Sequence, residues 1–210
     1  MVLFLNQTMQ EKEVCLKRTG KYFLLLLIIK VFIFFPQNKL FSNKLDLLDY
    51  FNNVNEFSAF FIQLNEGDLS EGQLYYKNNR LRVDYIKPSN ILIILAKKKA
   101  MYFNKDLDEL EYFNPRKSVA KIFFNIFNQK NYLSDSKFLD GENFVKLVKE
   151  IDIEKNEKFE LTLIFEKKPT LIRNIKITNE NDTWEYSLLN HNFNPNLSDD
   201  FFSMVNPRID

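Results

Sequence analysis

Hydrophobic and polar positions alternate along much of the chain, and the alternation carries most of what can be read from it. Phe57 to Leu64 and Gly72 to Lys77 read as strands, and Asn78-Asn79 has the composition of a tight hairpin turn. Arg80 to Ile86 alternates strictly. Arg80, Arg82 and Asp84 fall on one face, predicted to be wet, and Leu81, Val83 and Tyr85 on the other, predicted to be dry. Ile91 to Ala96 is apolar at every position, so that strand is expected to be covered on both sides. Met101 to Phe103 reads as another short strand, and Phe144–Ile151, Lys158–Phe165, Leu171–Thr178 and Trp184–Leu189 as four more.

Two segments break the period of two. From Lys44 to Asn55, Leu45, Leu48, Phe51 and Val54 recur every third residue, and in Ser118–Asn128 the residues Val119, Ile122, Phe123 and Ile126 share one side. Both predict amphipathic helices. Short strands interrupted by two helices predict a mostly β (α+β) domain built on one strongly curled antiparallel sheet.

A third segment looks like neither. Residues 1–21 carry four cations against two anions and precede an apolar run from Tyr22 to Phe35, closed by Pro36. That run is about 14 residues with Lys30 inside it, short of the roughly 20 a membrane-spanning helix needs. It reads as a removable secretory signal, residues 1–42, cut near Ser42, ahead of a single domain over 43–210. The sole cysteine, Cys15, would leave with it, so a disulfide, a thiolate nucleophile and a lipidated cysteine are not expected in the exported chain.

Composition then narrows the chemistry. The whole chain has 29 Lys+Arg against 28 Asp+Glu, and residues 43–210 hold 23 cations against 26 anions, a net charge of −3. Neither balance is that of a nucleic-acid binder, and no polybasic surface for anionic lipid is expected. Phe supplies 22 of the 32 aromatic residues, which fits either a codon bias or a wide aromatic interior. Gly67 and Gly72 have phosphate-loop spacing, but Gln73-Leu74 stands where Lys and Ser/Thr would be needed. Asp106-Leu-Asp108 starts like a calcium loop and lacks its glycine. His191 is the only histidine, in a polar context, and no nucleophile-elbow or zinc-helix motif occurs. These residues favour a binding protein without catalysis, cofactor or metal.

The order Phe57-x-Ala59-x-Phe61-x-Gln63, Gly72-x-Leu74, Leu81-Arg-Val-Asp-Tyr85, Pro88, the apolar strand Ile91–Leu95, Met101-Tyr-Phe103 and Asp106-Leu107 resembles the outer-membrane lipoprotein carrier family. Phe201, Phe202 and Pro207 resemble its closing segment. The resemblance implies an unclosed antiparallel half-barrel with a helical lid over a hydrophobic cavity. It implies a monomeric periplasmic chaperone that holds the acyl chains of lipoproteins. The cargo would come from the inner-membrane lipoprotein-releasing ABC transporter and go to the outer membrane, with an outer-membrane receptor left open as a further partner. On this reading Phe51, Phe57, Ala59, Phe61, Leu74, Tyr76, Val83, Tyr85, Ile122 and Phe123 line the cavity and lid. The family's Arg-Pro pair, whose Arg holds the lid shut, is replaced here by Asn78-Asn79. Arg80 or Arg82 could substitute as the latch, or the lid could close by packing alone. Leu81 stands where the family has an aromatic near the exporter's docking surface, and Lys97-Lys98 replaces its Asp-Gly turn. The alternative reading is a related half-barrel that binds or senses another lipid or a glycolipid.

Overall fold

The alternating segments join into one antiparallel sheet. The computed structural model describes residue 47 and residues 54–208 apart from 66, 130 and 154–156, all within the compact unit Phe41–Asp210. The expected signal, Cys15 and Phe51 lie outside the described residues. So does the first predicted helix, except for Leu47, which is helical and buried, and its last residues, Val54 and Asn55.

Eleven strands follow in chain order: β1 (Glu56–Asn65), β2 (Asp68–Lys77), β3 (Arg80–Lys87), β4 (Ile91–Leu95), β5 (Ala100–Asn104), β6 (Glu109–Phe113), β7 (Lys137–Asp140), β8 (Phe144–Asp152), β9 (Lys158–Lys167), β10 (Thr170–Thr178) and β11 (Thr183–Asn192). Their spatial order is β6-β5-β4-β3-β2-β1-β11-β10-β9-β8-β7, two meanders joined where β1 pairs with β11. β6 and β7 are the free edges, so the barrel is unclosed. The helix α1 (Ala120–Asn128) lies in the connection between them. One buried cluster takes in Leu81 and Leu95 of one wing, Val145 and Leu147 of the other, and Ile122 and Ile126 of α1. Strands this far apart in a sheet, at about 4.8 Å per neighbour, share a core with one helix only if the sheet curls around it.

Turn chemistry fixes the registers. Asn78 (φ 49°) and Asn79 (φ 60°) both have left-handed backbone, as the two-residue hairpin between β2 and β3 requires. β6 and β7 were not expected from the sequence, and β2 begins at Asp68, four residues before the predicted start at Gly72.

The predicted wet face of β3 is a correction. Arg82 and Asp84 are only 19% and 21% exposed, because the chain after β11 crosses the outer face of the sheet above them. Lys77 Nζ donates to the Leu197 carbonyl, Arg80 Nη1 to that of Asp199 (3.3 Å) and Arg82 Nη1 to that of Phe201 (2.7 Å). The Arg82 guanidinium lies 4.0 Å over the Phe201 ring, which meets Tyr75 edge-on at 4.8 Å. Further along, Met204 packs on a second cluster of Leu92, Ile94, Met101 and Phe103, and Tyr112 Oη donates to the Met204 carbonyl (2.9 Å). β4 is thus covered on both faces, as its continuous apolar run predicts.

Arg82 is the centre of this strap. Replacing it with Ala removes a charge-assisted hydrogen bond and a cation–π contact, on the order of 2 kcal/mol of tail docking. We expect limited chymotrypsin digestion to cut Arg82→Ala within Phe201–Met204 while the wild type resists, with far-ultraviolet circular dichroism unchanged. Equal resistance in both proteins would mean that the tail is held elsewhere.

Candidate functional site

The inner face of the sheet does not fill completely beneath α1. A cavity of about 300 Å³ remains, lined by Phe61, Leu74, Leu81, Val83, Tyr85, Ile93, Leu95, Phe113, Ile175, Tyr186 and Leu188 from the strands and by Ser118, Val119, Ala120 and Phe123 from the lid segment. Alternation explains the lining. Phe61 pairs across to Gly72 and Leu188, Leu74 to Val83, and Val83 to Ile93, so these residues point to one side over five neighbouring strands.

The lining is apolar apart from the hydroxyls of Ser118, Tyr85 and Tyr186. Tyr85 Oη donates to Gln63 Oε1 (2.7 Å), and Phe61 meets the Tyr85 ring edge-on at 5.0 Å. Burial pushes the Tyr85 phenol above its ordinary value and the Tyr186 phenol well above it, so both stay neutral at physiological pH. Among the described residues, no cation or carboxylate lines it. Such a space can hold a hydrocarbon chain.

Among the residues singled out from the sequence, Phe61, Leu74, Val83, Tyr85, Leu81 and Phe123 line this cavity. Phe57, Ala59 and Tyr76 lie on the same inner surface but in its packed floor, and Ile122 packs into the core from α1, each at most 5% exposed. The lining residues not among the candidates are Tyr186, Leu188, Ile175, Ile93, Leu95 and Phe113 from the strands and Ser118, Val119 and Ala120 from the lid segment. Trp184–Leu189 and Leu171–Thr178 were recognisable as strands, but which of their faces turns inward was not. Among the described residues, Arg80 and Arg82 bond to the tail and not to α1. The alternation that sends Leu81 inward sends both arginines outward to the tail, so neither contacts α1, and of the two alternatives closure of α1 by packing fits these contacts.

Among the described residues the lid is held by Ile122 and Ile126, which sink into the core, by ring contacts and by a polar contact. Phe123 stands edge-on to Tyr186 at 4.8 Å, and Phe127 packs on Phe57 (5.2 Å) and Tyr76 (5.6 Å). Tyr76 Oη donates to the Phe127 carbonyl in the last turn of α1 (3.0 Å). The helix has nine residues, no side-chain cap at its N-terminus and no acidic residue in its first turn. It is too short and too poorly capped to persist in water, so its structure depends on these contacts. Replacing Tyr76 with Phe should therefore raise the release rate of a bound acyl probe several-fold, the range of a hydrogen bond worth about 1 kcal/mol, with packing retained. Stopped-flow release that matches the wild type would show that the ring contacts alone close the lid.

His191 lies apart from the cavity lining, stacked on Phe193 at 6.1 Å between ring centres, and burial holds its imidazole below the ordinary value. Among the described residues no group of three potential metal ligands occurs, and no helix is long and apolar enough to cross a membrane.

An unclosed antiparallel half-barrel with an apolar cavity under a marginal helix defines a lipid-binding carrier fold. The chain belongs to the outer membrane lipoprotein carrier protein LolA family, whose model matches residues 52–205. No curated protein matches the sequence. Solved structures share the fold at low identity. An uncharacterized conserved protein from Thermus thermophilus superimposes with a TM-score of 0.51 at 12% identity, over 74% of this chain and 88% of that one. A DUF1329 family protein from Desulfovibrio piger does so with a TM-score of 0.50 at 9% identity, over 75% and 93%.

Proposed function

We propose that this protein is a periplasmic carrier that shields the acyl chains of lipoproteins between the inner and outer membranes, with residues 1–42 serving as its export signal. What supports the reading is the uncharged cavity beneath α1, roofed by a helix that depends on its contacts with the sheet for its own structure. An acyl chain of about 15 methylenes costs roughly 12 kcal/mol to leave in water, at about 0.8 kcal/mol each, so a soluble carrier must bury it. Handover requires the opposite property, a roof that opens at small cost. A short uncapped helix, closed by its buried isoleucines, its ring contacts and one hydroxyl, meets both needs. No residue is asked to do chemistry; the lid opens, the chain enters along Phe123 and Val119, and water is excluded when α1 returns.

Native mass spectrometry of the protein recovered from the periplasm of a Gram-negative host tests the reading. A bound acylated lipoprotein is the expected result. Bound free lipid or glycolipid alone would assign the same cavity to a different cargo, and recovery from the cytoplasm would overturn the compartment.

A further inference from the structure

The net charge of −3 over residues 43–210 conceals an uneven distribution. From Tyr85 to Lys105 and from Tyr112 to Ser134 the sequence has no Asp or Glu. The fold brings five of the cations of these stretches, Lys97, Lys98, Lys99, Arg116 and Lys117, together at one end of the sheet. Arg116 Nε donates to the Lys97 carbonyl (3.1 Å), which ties the segment before α1 to the turn between β4 and β5. Lys97, Lys98, Lys99, Arg116 and Lys117 are all exposed there. Lys121 sits in the first turn of α1, where the helix dipole disfavours a cation.

Beside them, on the flank of α1 away from the apolar cavity, is a recess of about 560 Å³. Lys97, Arg116 and Lys121 border it together with Phe124, Pro115 and Asn128. These three cations make no ion pair among the described residues. Asn128 Nδ2 donates to the Phe124 carbonyl (2.8 Å), while its Oδ1 is buried without a donor among the described residues. Unpaired cations, an apolar floor and a vacant acceptor match a phospholipid headgroup, which carries an anionic phosphate, a hydrocarbon attachment and a hydroxyl or ammonium donor.

We propose that this end of the protein docks on an anionic bilayer surface, with the recess receiving the phosphate of one headgroup. The site is distinct from the acyl cavity, so the proposal goes beyond the carrier reading. It would bring the moving edge of the lid against the membrane on which cargo is collected or delivered. The expectation of no polybasic surface followed from the net charge, which carries no information on placement.

The test is flotation of residues 43–210 with vesicles, using phosphatidylcholine alone or mixed with phosphatidylglycerol. The expected result is binding only to the mixed vesicles, lost in high salt as the screening length shortens. Lys97→Gln, Arg116→Gln and Lys121→Gln together should lower partitioning roughly a hundredfold, at about 1 kcal/mol per basic side chain near an anionic surface. Lys105→Gln, Lys158→Gln and Lys168→Gln, which change the net charge equally elsewhere, should leave it within about twofold. Should the first triple variant fail to fold, Lys97→Gln, Lys98→Gln and Lys99→Gln in the exposed turn reads out the same surface. Equal binding to both vesicle types, equal loss in the control, or binding of a monomeric short-chain phosphatidylglycerol with none to vesicles would each overturn the docking proposal. Acyl-probe loading, measured in parallel, reports the cavity separately.

Discussion

Phe123→Glu should lose at least a hundredfold in acyl-probe affinity while keeping the wild-type fold. Phe123 belongs to the lid side of the cavity, and its ring meets Tyr186 edge-on at 4.8 Å. It is only half-buried, so a glutamate there can turn to water in the empty, open protein at little cost to stability. Once a hydrocarbon chain enters and α1 closes, the carboxylate faces methylenes and two neutral phenols, with no cation among the described lining residues. Burying an unpaired polar group costs several kcal/mol and an ionised one more, so closure over cargo becomes the unfavourable step. Phe123→Leu, which keeps the apolar surface, should bind within a few-fold of wild type. Affinity measured by displacement of a fluorescent fatty acid separates the two, and unchanged binding in Phe123→Glu would remove α1 from the site.

That expectation was available from the sequence, since the spacing of Val119, Ile122, Phe123 and Ile126 puts them on one helix side. The same holds for Phe61, Leu74, Val83 and Tyr85, because alternation assigns a face once one member of the set is known to be inside. Ile93 was not legible. In Ile91–Leu95 every position is apolar, so the pattern cannot say that Ile93 turns to the cavity while Leu92 and Ile94 turn to the tail. β6 escaped for the opposite reason: Glu109, Glu111 and Tyr112 are exposed, so this edge strand buries too little to leave a pattern. β7 has four residues, with only Phe138 partly covered among its apolar ones. The direction of Arg82 was legible, but its burial was not, because the partner that covers it is 119 residues away in sequence.

Gly72→Ala should be the most destabilising single change on the cavity side of the sheet, although it adds one methyl group. Gly72 faces Phe61 directly across β1 and β2, at the position where β2 slips its register against β3. A Cβ there would lie 2.2 Å from the Asp84 carbonyl oxygen and 2.8 Å from Cε1 and Cζ of Phe61. The two conflicts differ in kind. The Phe61 ring can swing away, but only into the cavity and out of its edge contacts with Tyr85 and Tyr186. The Asp84 oxygen is backbone of β3 and can retreat only if the β2–β3 ladder opens. Overpacking of this sort costs about 3 kcal/mol, which for a domain of this size lowers the melting temperature by roughly 6–12 °C. Combining Gly72→Ala with Phe61→Leu apportions the two: the shorter side chain relieves the ring but not the carbonyl, so a partial recovery of melting temperature is expected. Full recovery would mean that the ring alone fixes glycine at position 72, and a Gly72→Ala protein as stable as wild type would contradict the close approach of β2 to β3 on which the floor of the cavity rests.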